Sequence, residues 1–193
     1  MYPIQRDKPS QFESERLIIR AYQPGDGQWF YPVCLRNQGH LKQFEGHNPV
    51  HGIHSVEDAE KLVHGFIVDW NCGRHYFMAA LEKSTLAFAG QIYIGVVDWD
   101  MPEFEVGYFV DVDHEGKGYI SEAVRATLGI LFKELHALRV SLDCDDTNVR
   151  SQHVAERCGF LKEGHIRQNK RREGGVPTGT FIYGMLREEF DFA

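Results

Sequence analysis

The segment that decides the fold runs Val110-Asp-Val-Asp-His-Glu-Gly-Lys-Gly-Tyr-Ile-Ser-Glu-Ala123. Its pattern predicts the end of a strand, a glycine-rich turn and the start of an amphipathic helix. Gly116 and Gly118 let the turn direct its backbone N–H groups inward, because glycine has no Cβ atom to obstruct them. Unpaired N–H groups at the positive end of a helix dipole bind phosphate, and Lys117 adds a positive charge. The segment therefore predicts a phosphate-binding turn.

Two common phosphate-binding motifs do not fit this turn. A P-loop needs Gly-x-x-x-x-Gly-Lys-Ser/Thr, and Gly174 and Gly179 have the glycine spacing but are followed by Thr180 instead of lysine. A Rossmann turn needs a third glycine, where this chain has Ser121, and it belongs in an alternating βαβ unit. An isolated Gly-x-Gly is often a plain tight turn, so the neighbouring segments must decide.

The rest of the chain predicts one mixed α/β domain over residues 1–193, in which 1–13 form a loosely ordered lead-in. Three consecutive strands joined by short turns indicate an antiparallel meander. The predicted strands cover 16–20, 75–82, 86–98, 103–112, 138–144, 160–167 and 180–187. The predicted helices cover 28–39, 117–136 and 147–158, with a further helix that Ser55 opens, and the predicted loops cover 40–54 and 170–179.

A second segment opens another helix and runs Asp146-Thr-Asn-Val-Arg-Ser-Gln-His-Val-Ala-Glu-Arg-Cys-Gly-Phe160. It follows a predicted strand, Asp146 or Thr147 provides a cap, and Gly159 occupies the position at which glycine often ends a helix. On these features alone the segment is a well-delimited surface helix.

Composition narrows the class of protein. The formal net charge of −7 disfavours a nucleic-acid binder, which needs a basic face, and gives weak support to a cationic acceptor. No apolar run at the amino terminus indicates a signal peptide or a membrane span, and the four cysteines are widely spaced, so we expect a cytoplasmic protein with reduced thiols. The histidines of the 40–54 loop lack the partners of a zinc site, so no metal is expected.

The glycine turn resembles motif A of the GNAT N-acetyltransferase superfamily, Gln/Arg-x-x-Gly-x-Gly/Ala, which holds the pyrophosphate of coenzyme A. The matching positions are Glu115, Gly118 and Ile120, of which the central glycine agrees with the pattern. The run Gly-Lys-Gly-Tyr-x-x-Glu-Ala at 116–123 is typical of one large branch of that superfamily.

The second helix is similar to the other coenzyme A element of the superfamily, Asn-x-x-Ser-x-x-x-x-Glu-x-x-Gly-Phe. In that element the asparagine binds pantetheine and the serine lies near the thioester sulfur. The matching residues are Asn148, Ser151, Glu156, Gly159 and Phe160. Residues 16–20 resemble the first strand of the family and 105–108 the fourth, so the resemblance covers about residues 12–187. It is closest to the branch that contains ribosomal-protein N-terminal acetyltransferases.

The resemblance implies a mostly antiparallel central sheet of about seven strands, with helices on both faces. It implies transfer of an acetyl group from acetyl-CoA to a primary amine, either a protein N-terminus or a small amine. The residues it assigns to the cofactor are Phe109, Val110, Glu115, Gly116, Lys117, Gly118, Tyr119, Ile120, Ser121, Asn148 and Ser151.

Amide formation from a thioester needs a base for the amine, donors for the tetrahedral oxyanion and an acid for the leaving thiol. Glu105 is the predicted base, because it lies on the strand that resembles the one beside the acetyl group. Backbone N–H groups near Phe109 and Val110 are the predicted oxyanion donors, next to a gap that the family has between its fourth and fifth strands. Ser151 or Tyr183 is the predicted proton donor, and no covalent enzyme intermediate is required.

Several alternatives stay open at this point. A longer acyl-CoA would suit the same fold, and so would a coenzyme-A-binding sensor or interaction domain without catalysis. The acceptor is open among a protein N-terminus, a polyamine, an amino acid and an aminoglycoside. The last strand is a candidate for pairing across a homodimer, and neither nucleic acid nor a membrane is an expected partner.

Overall fold

The computed structural model describes residues 8–191 apart from the side chain of Glu173. Within this part the strands are β1 (Gln11–Glu13), β2 (Leu17–Ala21), β3 (His75–Glu82), β4 (Phe88–Asp98), β5 (Glu103–Val110), β6 (Arg139–Asp145), β7 (Leu161–Arg171) and β8 (Pro177–Leu186). The α-helices are α1 (Gly27–Leu41), α2 (Val56–Cys72), α3 (Tyr119–Lys133) and α4 (Val149–Arg157). Short 3-10 helices cover Pro49–Gly52, Val112–His114, Glu173–Gly175 and Arg187–Glu189.

The eight described strands form one sheet in the order β1-β2-β3-β4-β5-β6-β8-β7. Every neighbouring pair is antiparallel except β5 and β6, so the predicted mixed, mostly antiparallel sheet is confirmed. The sheet has one strand more than the expected seven, because β1 lies inside the predicted lead-in. There Phe12 pairs with Ile19 of β2. Residues 1–7 of that lead-in lie outside the described residues.

Alternation along the strands divides the core into two layers, one on each face of the sheet. In β3, Met78 and Ala80 belong to one layer, whereas Ala79 and Leu81 belong to the other. Apolar residues of α3 and α4 complete the first layer, and those of α1 and α2 complete the second. The predicted helices on both faces are therefore confirmed. We call the two sides of the sheet the α3–α4 face and the α1–α2 face.

Local capping signals fix the helix starts. The Ser55 side chain accepts a hydrogen bond from the N–H of Asp58 at 3.1 Å, as the capping-box pattern predicts. The predicted helix 117–136 is shorter in the structure, because Gly118 has a left-handed backbone and α3 starts only after it. The predicted loop 40–54 contains the 3-10 helix Pro49–Gly52, which Asn48 caps through the N–H of Val50.

The carboxyl-terminal hairpin differs from the prediction. Residues 170–179 are predicted to form a loop, but β7 extends to Arg171 and β8 begins at Pro177. β7 is an exposed edge strand along nearly its whole length, so it needs no apolar pattern and its basic residues resemble a loop in the sequence. β8 lies between β6 and β7, and both of its edges are paired. The prediction that the last strand pairs across a homodimer is therefore wrong, and a homodimer through another surface stays a prediction.

Candidate active site

The sheet opens between β5 and β6. The two strands pair over residues 103–105 and then separate, whereas β4 pairs along all of β5. Just past the end of β5, the N–H of Asp111 donates to the carbonyl of Ala89 at 3.0 Å. Because N–H directions alternate along a strand, the N–H of Phe109 points to β4 and the N–H of Val110 points into the gap. Of the two predicted oxyanion donors, Val110 is thus the one that faces the gap.

The glycine turn lies between this gap and α3. Gly116 and Gly118 have φ angles of 72° and 78°, in the left-handed region that a residue with a Cβ atom enters only at a cost. Gly118 is the N-cap residue, and within the described part no side chain caps α3. The first N–H groups of α3 are therefore free of a side-chain acceptor, which is the arrangement that binds an anion.

The residues that follow the turn direct their side chains into the protein. Tyr119, Ile120 and Ser121 are all buried. The Tyr119 hydroxyl donates to the carboxylate of Glu82. Ile120 fills the space above Gly90, where an added Cβ would lie 2.5 Å from the Ile120 Cδ1 atom. The contribution that these three residues can make to a bound phosphate therefore comes from their backbone.

Two cations hold the turn in place. Lys117 Nζ donates to the carbonyl of Asp113 at 2.9 Å, and Arg16 Nη1 donates to the carbonyl of Lys117 at 3.1 Å. Arg16 also forms an ion pair with Glu122 at 2.6 Å, and its guanidinium lies over the Tyr119 ring. Sequence reasoning missed this role of Arg16, because the contact joins the first predicted strand to a turn far along the chain.

Glu115 carries a further ionic contact of the turn. Its carboxylate contacts Arg150 of α4, and His40 Nδ1 of α1 lies 3.4 Å from the same oxygen. The glycine turn, α4 and α1 thus meet at one carboxylate.

α4 starts on the other side of the gap, with Asn148 as its cap. Asn148 Oδ1 accepts a hydrogen bond from the N–H of Ser151 at 3.2 Å, so the cap is neither Asp146 nor Thr147 as predicted. Ser151 Oγ lies 3.0 Å from the hydroxyl of Tyr108, which also donates to the Ser151 carbonyl at 3.1 Å. Burial raises the pKa of Tyr108 well above its usual value, so the hydroxyl keeps its proton at neutral pH.

Tyr108 is the residue that sequence reasoning missed at this point. Strand alternation places it opposite Glu105 and Phe109, but the partner of its hydroxyl lies on a helix more than one element away. The available signal was its position beside the gap, within the stretch that resembles the fourth strand of the family.

Tyr183, the other predicted proton donor, lies deeper. It is fully buried on β8 within the α3–α4 layer, and its hydroxyl has no hydrogen-bond partner among the described residues. Burial raises the pKa of Tyr183 to about 12. Ser151 is thus hydrogen-bonded to Tyr108 on β5, whereas Tyr183 lies in the core.

Glu105 lines a cavity of about 360 Å³. The cavity is bounded by Glu105, Ser141, Leu142, Asp143, Ile166, Asn169, Thr180 and Ile182. Burial raises the pKa of Glu105, and the neighbouring Asp143 carboxyl raises it further. His75 and Lys170 act in the opposite direction, and Lys170 Nζ lies 3.7 Å from Asp143 Oδ2. This side of the gap therefore holds a carboxyl group whose raised pKa makes it a stronger base than an exposed carboxylate.

Two further features bear on the class of site. Over residues 8–191, no group of three or more histidine, cysteine, aspartate or glutamate side chains is placed to hold a metal ion. No helix in the same range combines the length and the apolar character needed to cross a bilayer.

Comparisons with known proteins agree with this geometry. Residues 16–161 match the family model described as an acetyltransferase (GNAT) domain. A Bacillus subtilis protein provisionally named ribosomal N-acetyltransferase YdaF is 29% identical, over 92% of this chain and 95% of the relative. The ribosomal-protein-serine acetyltransferase of Escherichia coli is 28% identical, over 80% of this chain and 84% of the relative. The solved structure of a ribosomal L7/L12 alpha-N-protein acetyltransferase in complex with coenzyme A shares the fold, with a TM-score of 0.80 at 21% identity over 93% of this chain and 97% of its own.

Proposed function

The chain belongs to the GNAT acetyltransferase family and takes acetyl-CoA as its co-substrate, and from this premise we propose that it acetylates a primary amine by direct attack, with Glu105 as the base. The acetyl group would pass from the thioester to the amine through one tetrahedral intermediate. The new C–N bond forms, the C–S bond breaks, and coenzyme A leaves as the thiol.

The observation that carries the proposal is the position of two proton-transfer groups on opposite faces of one strand. Glu105 is the last residue at which β5 pairs with β6, and its side chain lines the open cavity. Tyr108 lies further along the same strand, on the α3–α4 face, and bonds to Ser151. An amine in the cavity and a sulfur near Ser151 would thus meet at the gap, with a base on one side and a donor on the other.

The first step is the loss of a proton from the acceptor amine. The acceptor arrives as an ammonium ion and must lose a proton before it can attack. Because burial and Asp143 raise the pKa of Glu105, its carboxylate is a stronger base than an exposed one. An α-amino group, with a pKa of about 8, needs less help than a lysine amine at about 10.4.

Separate groups are assigned to the leaving thiolate and to the oxyanion. The N–H of Val110 faces the gap and is the donor that we assign to the oxyanion. We assign the proton of the thiol to Ser151, whose hydroxyl lies 3.0 Å from the Tyr108 hydroxyl. Solvent returns a proton to this hydrogen-bonded pair, and Glu105 releases the amine proton to solvent, so that each turnover is balanced. Tyr183 is a less suitable donor, because its hydroxyl is buried in the core.

A protein N-terminus is the acceptor that we propose first. The lower pKa of an α-amine suits a carboxylate base, and the E. coli relative is named for a ribosomal-protein serine. A small cationic amine is the second candidate, because Glu105 and Asp143 place negative charge in the cavity.

The test is an acceptor screen with acetyl-CoA, in which release of free thiol and product mass are both measured. The panel contains peptides that begin with serine or alanine, the same peptides with a blocked N-terminus and an internal lysine, and spermidine. We expect the free N-termini to gain one acetyl group and the blocked peptides to gain none. Acetylation of spermidine alone would favour the second candidate. Binding of acetyl-CoA with no turnover on any amine would contradict the proposal and leave a coenzyme A sensor.

A further inference from the structure

The cations nearest the glycine turn are engaged in holding its backbone. Lys117 Nζ bonds to the carbonyl of Asp113, and Arg16 is shared between Glu122 and the carbonyl of Lys117. Each stabilises the conformation in which the amides of the turn are displayed. The positive charge that a cofactor diphosphate needs is therefore better sought on another element.

Arg150, on α4, can supply this positive charge. It belongs to the first turn of α4, between Asn148 and Ser151, and its side chain is 75% exposed. Its guanidinium reaches from α4 to the carboxylate of Glu115, directly before Gly116. Because the two helix starts lie on opposite sides of the gap, this ion pair spans the space between the two segments that resemble cofactor motifs.

The contact has an electrostatic reason. Glu115 stands at a motif position where the superfamily pattern has glutamine or arginine, so this chain has a negative charge beside an anion-binding turn. A carboxylate there repels phosphate, and a nearby guanidinium offsets that repulsion. His40 Nδ1, on α1, lies 3.4 Å from the same oxygen.

The pair can also exchange partners at little cost. An ion pair with an exposed arginine contributes only about 0–1 kcal/mol, so leaving Glu115 costs Arg150 little. A guanidinium binds phosphate oxygens with two parallel N–H bonds and is more weakly hydrated than an ammonium group. A diphosphate at the start of α3 therefore competes well with a single carboxylate for this side chain.

We propose that Arg150 binds the diphosphate of acetyl-CoA across the gap, and that Glu115 competes with the cofactor for Arg150. The proposal rests on acetyl-CoA as co-substrate and is independent of the acceptor.

The test compares two thioesters, acetyl-CoA and S-acetylpantetheine, which lacks the phosphates. Arg150→Gln should weaken acetyl-CoA binding about tenfold, the effect of about 1.4 kcal/mol expected for one charge-assisted contact. Binding of S-acetylpantetheine should not change. The matched control is Arg157→Gln, which removes an exposed arginine from the other end of α4 and should change neither affinity.

A second variant examines the competition. Glu115→Gln should strengthen acetyl-CoA binding several-fold, because it releases Arg150 and removes a negative charge beside the phosphates. Unchanged acetyl-CoA affinity in Arg150→Gln, or an equal loss for both thioesters, would refute the phosphate contact. Weaker binding in Glu115→Gln would refute the competition. A chain that binds acetyl-CoA in this manner but acetylates no amine would refute the proposed function and leave this inference standing.

Discussion

The two faces of β5 carry different chemistry. On the α3–α4 face, Tyr108 is half-buried and its hydroxyl is engaged with Ser151. On the other face, Glu105 lines an open cavity and has another carboxyl, Asp143, as its neighbour. The Tyr108 hydroxyl therefore stays protonated at neutral pH, whereas the Glu105 carboxyl releases its proton with a pKa above the usual value for glutamate. A single strand at the edge of a gap can therefore separate a base from an acid without any further domain.

This comparison makes a strict prediction about substitutions. Changes at the glycine turn and at Asn148 should alter cofactor affinity, and changes on the cavity face should alter turnover and its pH dependence. The following variants are ordered by the size of the expected effect.

Glu105→Gln should have the largest effect. It removes the proposed base while keeping the size of the side chain, so kcat should fall by about 10²–10⁴-fold. Acetyl-CoA affinity, measured by calorimetry, should stay at the wild-type value, because Glu105 lies on the cavity face. A variant with full activity would show that Glu105 is a surface charge and that the proton leaves by another path.

Gly118→Val should strongly reduce cofactor binding. A β-branched residue at a φ of 78° is strained by more than the 1–2 kcal/mol typical of other residues, so the turn should distort and acetyl-CoA affinity should fall by about tenfold or more. Space is not the limit, since the nearest atom to an added Cβ is Arg16 Nη2 at 3.7 Å. Gly118→Asn is the control, because asparagine tolerates the left-handed region, and it should retain most of the affinity. Equal affinities for valine and glycine would argue against a phosphate site at this turn.

Helix capping and the proposed contact with pantetheine can be tested separately at Asn148. Its Oδ1 atom caps α4, which leaves Nδ2 for a bound pantetheine. Asn148→Ala should reduce stability by about 1 kcal/mol and weaken acetyl-CoA binding. Asn148→Asp keeps an acceptor for the cap and lacks the amide donor, so it should bind acetyl-CoA weakly while melting near the wild-type temperature. Wild-type affinity in both variants would exclude Asn148 from the cofactor site.

Asp143→Asn should have the smallest effect and is the most specific for the cavity face. The Asp143 carboxyl raises the pKa of Glu105, so its neutralisation should lower that pKa towards the usual value. The acidic limb of the kcat/KM profile, where Glu105 becomes protonated, should then move to lower pH. Burial, the larger cause of the raised pKa, would remain, and so would the opposing charges of His75 and Lys170. An unchanged profile would show that Glu105 is not the titrating base.

The fold could be predicted well where local patterns are strong. The alternation of β3 to β5, the helix cap at Ser55 and the glycine turn each depend on neighbouring residues, and each is present in the structure. The hairpin of β7 and β8 could not be predicted, because an exposed edge strand carries the same polar and basic residues as a loop. β1 was not predicted for a related reason, because a strand of three residues is too short to show an alternating pattern of apolar and polar residues.

The candidate site shows the same division. Gly116 and Gly118 could be found because their backbone conformation is encoded within a few residues. Asn148 could be found through its motif, but its capping role was not predicted. The contacts of Arg16, Tyr108 and Asp143 join segments that are distant in the sequence, and only the fold brings them together. The periodicity of a single sequence does not show which distant segments are in contact.

The two ends of the sheet have a consequence for handling the protein. β1 contributes only three residues to one edge, and β7, at the other edge, has two register shifts, between Lys162 and Gly164 and between Ile166 and Lys170. Short, irregular and charged edges are poor templates for an additional strand. Precipitation of concentrated samples should therefore begin from unfolded chains, and its rate should follow the fraction unfolded more closely than the concentration of native protein.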